Sequence, residues 1–215
     1  PEPLGDIMNV KSAVLVGIQA KVIELECTSG AESGALQITG LPESQSRESR
    51  VRVQNALTQY TSREKDSLRS LTVTLNPPVR GSVGSLDLAI ALTLLQGLPG
   101  IENYLVCGEL SLNGGVNPIR GVASMALKAK GLGLGIVVPA ANATEASYVV
   151  PGLEVIGVQD LGELVEFAQS LRFRQFAPVS NVPESPRHTF DDVDGLERAK
   201  MALRVAVQEG FNVLF

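Results

Sequence analysis

Residues 71–130 read LTVTLNPPVRGSVGSLDLAIALTLLQGLPGIENYLVCGELSLNGGVNPIRGVASMALKAK. Two strand-like runs each pass through a glycine-rich segment into a helix-like run. In the first, Leu71, Val73 and Leu75 alternate with Thr72 and Thr74, the period of a strand. Asn76-Pro77-Pro78 ends it, since proline gives the ladder no donor. Residues 80–85 are rich in glycine and serine, and 86–95 then predict a nearly buried helix with Asp87 in its first turn, where the helix dipole favours it. Residues 104–112 predict a strand, Asn113-Gly114 a hairpin turn and 116–119 a short return. Residues 121–130 predict the next helix, with basic residues in its last turn and Gly131 after it.

Upstream, residues 10–26 read as strands with an irregularity near Gly17, and 35–39 as a third short strand. Gly40-Leu41-Pro42-Glu43 is a turn feeding a helix over 43–60, with proline tolerated in the first turn and Val53, Ala56, Leu57 and Tyr60 as its buried stripe. Downstream, strands at 135–138 and 153–158 alternate with a helix at 142–149 and one capped by Asp160 that runs to 171. Short connections between alternating strands and helices imply a mixed α/β domain with some parallel sheet. Residues 1–171 form this domain. Residues 172–189, rich in proline and without period, read as a linker. Residues 190–215 open a second unit: a helix burying Leu196, Ala199, Leu203 and Val207, closed by Gly210, and a strand at 211–215. A strand at the last residue suggests a truncated domain.

The composition suits one folded domain plus a fragment: 215 residues, 44% hydrophobic, 19% charged. A net charge of −5 gives no support to a strongly basic nucleic-acid face and leaves room only for a local patch. Cys27 and Cys107 are far apart in apolar runs and read as reduced core cysteines. No apolar run approaches a membrane span, no signal-peptide pattern opens the chain, and the cytoplasm is the default location.

Ser82 and Ser85 lie in a loop before a helix, where amides can serve an oxyanion, but a serine nucleophile needs a base. The single histidine, His188, is in the linker; Lys128 and Lys130 fall late on a helix, where solvent is their natural surrounding. The Gly81–Ser85 loop lacks the lysine-serine end of a nucleotide-binding loop. Gly84, Asp87 and Glu109 read as structural loop residues, the carboxylates fixing backbone amides. No metal site is evident. Arg47, Arg50, Arg52 and Arg63 form the one basic cluster, either paired with Glu43, Glu48 or Glu64 or available to a nucleic-acid backbone or a neighbouring subunit.

Many short segments together resemble the N-terminal domain of the magnesium-chelatase-like AAA+ family, the group of the competence protein ComM and YifB. They include Gly40-Leu41-Pro42-Glu43, Glu48-Ser49-Arg50, Gly84-Ser85-Leu86-Asp87-Leu88, Gly108-Glu109-Leu110-Ser111-Leu112, Pro118-Ile119-Arg120-Gly121, Asn142 with Glu145-Ala146, and Phe190-Asp191-Asp192-Val193. The resemblance covers nearly the whole chain. It implies a Lon-protease-like domain of the ribosomal S5 domain 2-like class, joined to an AAA+ module whose Walker A loop would follow residues 212–215. In Lon-like proteases a serine precedes the helix equivalent to 86–95, and a lysine follows the Pro-Ile return. The matching positions here are Val83 and Ala123, so the resemblance implies a degenerate dyad and no catalytic residue. Two departures from the family pattern stand out: residues 78–83 lack its common Lys/Glu pair, and Phe211 replaces a frequent histidine.

The resemblance therefore implies an accessory or assembly domain, not itself an enzyme and holding no cofactor. The intact protein would be a hexameric ATPase, using ATP and Mg and assembling through its AAA+ module, that moves DNA branches in recombination and natural transformation. A residual Ser-Lys peptidase and a regulatory module that binds a protein partner are the alternatives.

Overall fold

The computed structural model describes residues 9–29, 35–60, 68, 70–80, 83–95, 100–170 and 189–213, with only the backbone at 167–170. The chain divides into two compact units, Pro1–Val179 and Ser180–Phe215.

The first unit is a mixed sheet with helices on both faces. β1 (Val10–Val16) and β2 (Gln19–Ser29) form an antiparallel hairpin, and β3 (Gln37–Thr39) leads into α1 (Glu43–Tyr60). β4 (Leu71–Asn76) precedes a 3-10 turn at Gly84–Leu86 and α2 (Asp87–Leu95). Then follow β5 (Tyr104–Val106), the small β6 (Glu109–Leu110) and β7 (Val116–Asn117) ribbon, α3 (Val122–Gly131), β8 (Gly135–Pro139), α4 (Ala140–Val149), β9 (Val155–Val158) and α5 (Leu161–Ser170). Among the described residues the main sheet has seven strands, in the order β3-β4-β2-β1-β5-β8-β9. Only β2 runs against the others: it is antiparallel to β1 and β4, while every other pair is parallel.

Strand alternation sorts the core into two layers. Val106, Val137 and Ile156 join Val53, Leu57, Leu88 and Leu92, beneath α1, α2 and α5. Leu105, Ile136, Val138 and Val155 join Met125, Ala126, Ala143 and Ala146, beneath α3 and α4. α2 is buried from Asp87 through Leu94, which is why its sequence is apolar all round.

Three differences from the sequence reading have plain causes. The irregularity at Gly17 is a two-residue hairpin turn: Val16 pairs with Gln19, and Gly17 takes φ +63°, which glycine accepts at no steric cost. The strand expected over 104–112 breaks at Cys107-Gly108. There the Gly108 amide donates to the Ser85 carbonyl at 2.8 Å, and the Gly108 carbonyl accepts from the Leu88 amide at 3.0 Å. These bonds draw the backbone away from the sheet and towards α2.

The third concerns the second unit, whose helix α6 (Glu197–Glu209) does not bury the expected stripe. Leu196 is 70% exposed and Val207 81%; Ala206 is the one buried residue of the helix. Among the described residues of the unit, α6 has only the Thr189-capped 3-10 turn beside it, with Arg204 over the Phe190 ring at 5.4 Å, so little there covers its apolar side. Residues 211–213 are not strand, and 214–215 lie outside the described residues.

Candidate functional site

The segment that would hold chemistry is the turn before α2. The Leu86 amide bonds the Val83 carbonyl at 2.9 Å, closing the 3-10 turn. The Ser85 hydroxyl donates to the Ala13 carbonyl at 3.1 Å, so it ties the turn to β1. Gly84 has no room for a side chain: a Cβ there would stand 2.1 Å from Glu109 Oε2. Glu109 Oε1 in turn accepts from Asn117 Nδ2 at 3.5 Å.

Asp87 is the centre of this region. Its carboxylate is fully buried and held from three directions: the Ser49 hydroxyl donates at 2.6 Å, Arg52 Nε at 2.6 Å and the Leu110 amide at 3.3 Å. α1, α2 and β6 are joined through one side chain. Burial pushes the Asp87 carboxyl above its ordinary value, against the opposing pull of Arg52, Ser49 and Leu110. Desolvation acts to lower Arg52, but Asp87 and the more distant Glu109 and Glu48 outweigh it and raise its guanidinium. Arg52 also lies 3.9 Å from Glu48.

A second polar joint holds the start of α3. Asn142 on α4 takes the Ile119 amide on its Oδ1 at 2.9 Å and returns its Nδ2 to the Ile119 carbonyl at 3.1 Å. Its Nδ2 also reaches Glu145 at 3.3 Å, and Glu145 accepts the Ala123 amide at 3.2 Å. A carboxylate on the first amides of a helix satisfies an orphan donor and faces the positive end of the dipole. Ser124 donates to the Ile18 carbonyl at 2.8 Å, pinning the β1–β2 hairpin to α3.

The predicted site residues are therefore dispersed. Val83 is buried in the layer beneath α1 and α2. Ala123 is half-buried at the start of α3, beside Val122 of the opposite layer. Lys128 and Lys130 are exposed on α3. The three arginines of α1 have three different surroundings: Arg47 is exposed and paired with Glu43 at 3.2 Å, Arg52 is turned inward to Asp87, and Arg50 faces a groove beside β3. Gly81, Ser82, Arg63, Glu64 and His188 lie outside the described residues. Sequence reasoning missed Ser49 as a ligand of Asp87. The signal was its spacing: Ser46, Ser49, Val53, Ala56 and Leu57 form the buried side of α1, so a serine there needs a polar partner.

The described polar side chains of this region hold backbone and one another in place. The one described serine of the turn has its proton on a carbonyl, and the buried carboxylate is matched by donors. Among the described residues no three His, Cys, Asp or Glu side chains converge as metal ligands, and no helix is long and apolar enough to cross a membrane.

The profile of the family described as subunit ChlI of Mg-chelatase matches residues 23–142. An uncharacterized protein of Mycobacterium tuberculosis is 34% identical over 94% of the chain and 41% of its own length. The competence protein ComM of Haemophilus influenzae is 28% identical over 96% of the chain and 42% of its own length. A shorter stretch, 45% of the chain, is 33% identical to 11% of the mitochondrial Lon protease homolog of Rattus norvegicus. The chain thus spans about two fifths of the full-length curated relatives it matches. With a family profile across more than half its length and ComM among its relatives, this chain belongs to the magnesium-chelatase ChlI-like family of AAA+ proteins.

Proposed function

We propose that residues 1–171 are a non-catalytic, Lon-protease-like accessory domain of the ribosomal S5 domain 2-like class. In this reading the domain serves a hexameric AAA+ ATPase that uses ATP and Mg in its motor module and moves branched DNA in the cytoplasm during recombination and natural transformation. Its part is to hold and orient, and Asp87 is the joint that keeps α1 and the turn before α2 in one rigid piece.

The observation that carries the reading is the pairing of family membership with side chains unfit for acyl transfer: Val83 and Ala123 at the dyad positions, and the Ser85 hydroxyl spent on Ala13. The similarity to a Lon protease homolog supports the frame; the aliphatic substitutions support the loss of cutting. Arg47, exposed on α1, is the residue of the basic cluster best placed to meet a phosphate backbone.

Two assays test this. Peptide hydrolysis by the chain is expected at the buffer rate and unchanged by Ser85→Ala; turnover abolished by that change defeats the non-catalytic reading. Branched-DNA binding by the full-length protein is expected to weaken with salt and to fall about threefold or more with Arg47→Glu. Salt-independent binding indifferent to that reversal removes α1 from the DNA path.

A further inference from the structure

Arg50 is the arginine of α1 whose surroundings the accessory role leaves unexplained. Its neighbours each have a carboxylate: Arg47 has Glu43 and Arg52 has Asp87. The Nε of Arg50 is buried with no hydrogen-bond partner among the described residues. A buried donor without an acceptor is a standing cost and calls for a reason. Arg50 lines a groove of about 450 Å³ between α1 and β3, with Glu43 and Ser46 along the helix side and Gln37–Thr39 along the strand side. β3 is the outermost strand on its side of the sheet, paired with β4 alone among the described residues. The Ser46 hydroxyl holds the Ile38 carbonyl at 2.9 Å, so helix and strand keep a fixed separation and the groove is built into the frame.

We propose that this groove docks an extended, carboxylate-bearing peptide segment of a protein partner. The segment lies along β3 and places its carboxylate on the Arg50 guanidinium. Arginine's planar fork matches a carboxylate in two parallel bonds, and an outer strand offers backbone pairing to an added one. A nucleic-acid backbone fits less well. The groove admits a few side chains and not a duplex, and the strand edge would go unused. The inference stands apart from the DNA-motor reading, since neither Arg47 nor the motor module enters it.

The test follows the Arg50 Nε–Hε signal and the amides of Gln37–Thr39 by NMR on the 215-residue chain. The probes are the peptide Ac-Thr-Val-Glu-Val-Thr-NH2, its glutamine counterpart, inorganic phosphate and a DNA duplex of about 20 base pairs. The glutamate peptide is expected to shift both sets of signals, and the glutamine peptide to bind roughly tenfold more weakly. Arg50→Gln is expected to erase that difference and Arg47→Gln to preserve it, with a thermal melt showing that Arg50→Gln is folded. If Arg50→Gln does not fold, the two peptides compared on the unsubstituted chain decide the matter. Equal binding of the two peptides, or no shift from either, overturns the proposal. So do shifts caused by phosphate or duplex alone, and shifts that track chain concentration and so report a second copy in the groove.

Discussion

Asp87 is a carboxyl group placed where water cannot reach it, and the fold tolerates it because three donors converge there. Removing one partner of such a pair strands the other. Asp87→Ala is therefore expected to cost about 3–5 kcal/mol in urea unfolding, whereas Arg47→Ala, which breaks an exposed pair, costs under about 0.5 kcal/mol. Replacing both members, Asp87→Leu with Arg52→Met, is expected to cost far less than Asp87→Ala, because no charge is left alone. Cys107 gives a pH prediction. Burial pushes its thiol from 9.0 up to about 12. The folded chain keeps that proton longer than the unfolded one, so the contribution is complete below pH 9 and is lost as pH rises towards 12. Unfolding free energy should fall by about 1.4 kcal/mol per pH unit across that window from this group, and Cys107→Ala should flatten the fall. Tyr104, raised from 10.0 by burial and by Glu154, adds its own decline from pH 10 upward, overlapping that of Cys107. At this scale the sequence showed that Asp87 sat at a helix start and could fix backbone. It did not show Arg52 as its partner, because α1 and α2 meet only through the tertiary fold.

Among the elements, α1 was legible from Glu43 to Tyr60, since a Gly-Leu-Pro turn and a polar stretch of sequence frame one long run. The Asp160 cap of α5 was legible too, and its Oδ1 accepts the Glu163 amide at 2.9 Å. The break at Gly108 was not, because a strand reads as continuous until a distant carbonyl competes for its amide. Nor was the clamp of Asn142 on Ile119, which depends on α4 meeting the Pro118–Gly121 turn. Asn142→Leu would leave the Ile119 amide and carbonyl without their partner, and a loss of about 2–4 kcal/mol is expected by thermal or urea unfolding. Two glycines make a matched pair. Gly121→Ala places a Cβ 2.1 Å from Leu15 at φ +81°, whereas Gly133→Ala, at φ +70°, meets nothing within 4 Å. Both pay about 1–2 kcal/mol for the left-handed backbone, and only Gly121→Ala should lose measurably more, read as the difference in urea midpoint.

For the whole molecule, a mixed α/β domain with some parallel sheet was visible in the alternation of strand and helix after residue 71; that helices cover both faces was not. The direction of β2 and the outer position of β3 were not, since strand order is decided by which edges the crossovers bring together. The apolar side of α6 was misjudged for a related reason: periodicity reports a face that wants cover, not whether cover is present. The family frame was carried by many short segments, and the residues that matter most to its integrity, Ser49 and Asn142, lay inside those segments without disclosing their partners.

The lone reversed strand has a kinetic corollary. β1 and β2 are joined by two residues and share a seven-pair register, so they close at almost no loop entropy. Each parallel partner must wait for a long crossover. This hairpin is expected to serve as the nucleus on which β4 and then the remaining strands assemble. Pulse-labelled amide exchange during refolding should protect Val10–Val16 before Val155–Val158. Simultaneous protection would mean that the sheet condenses in one step.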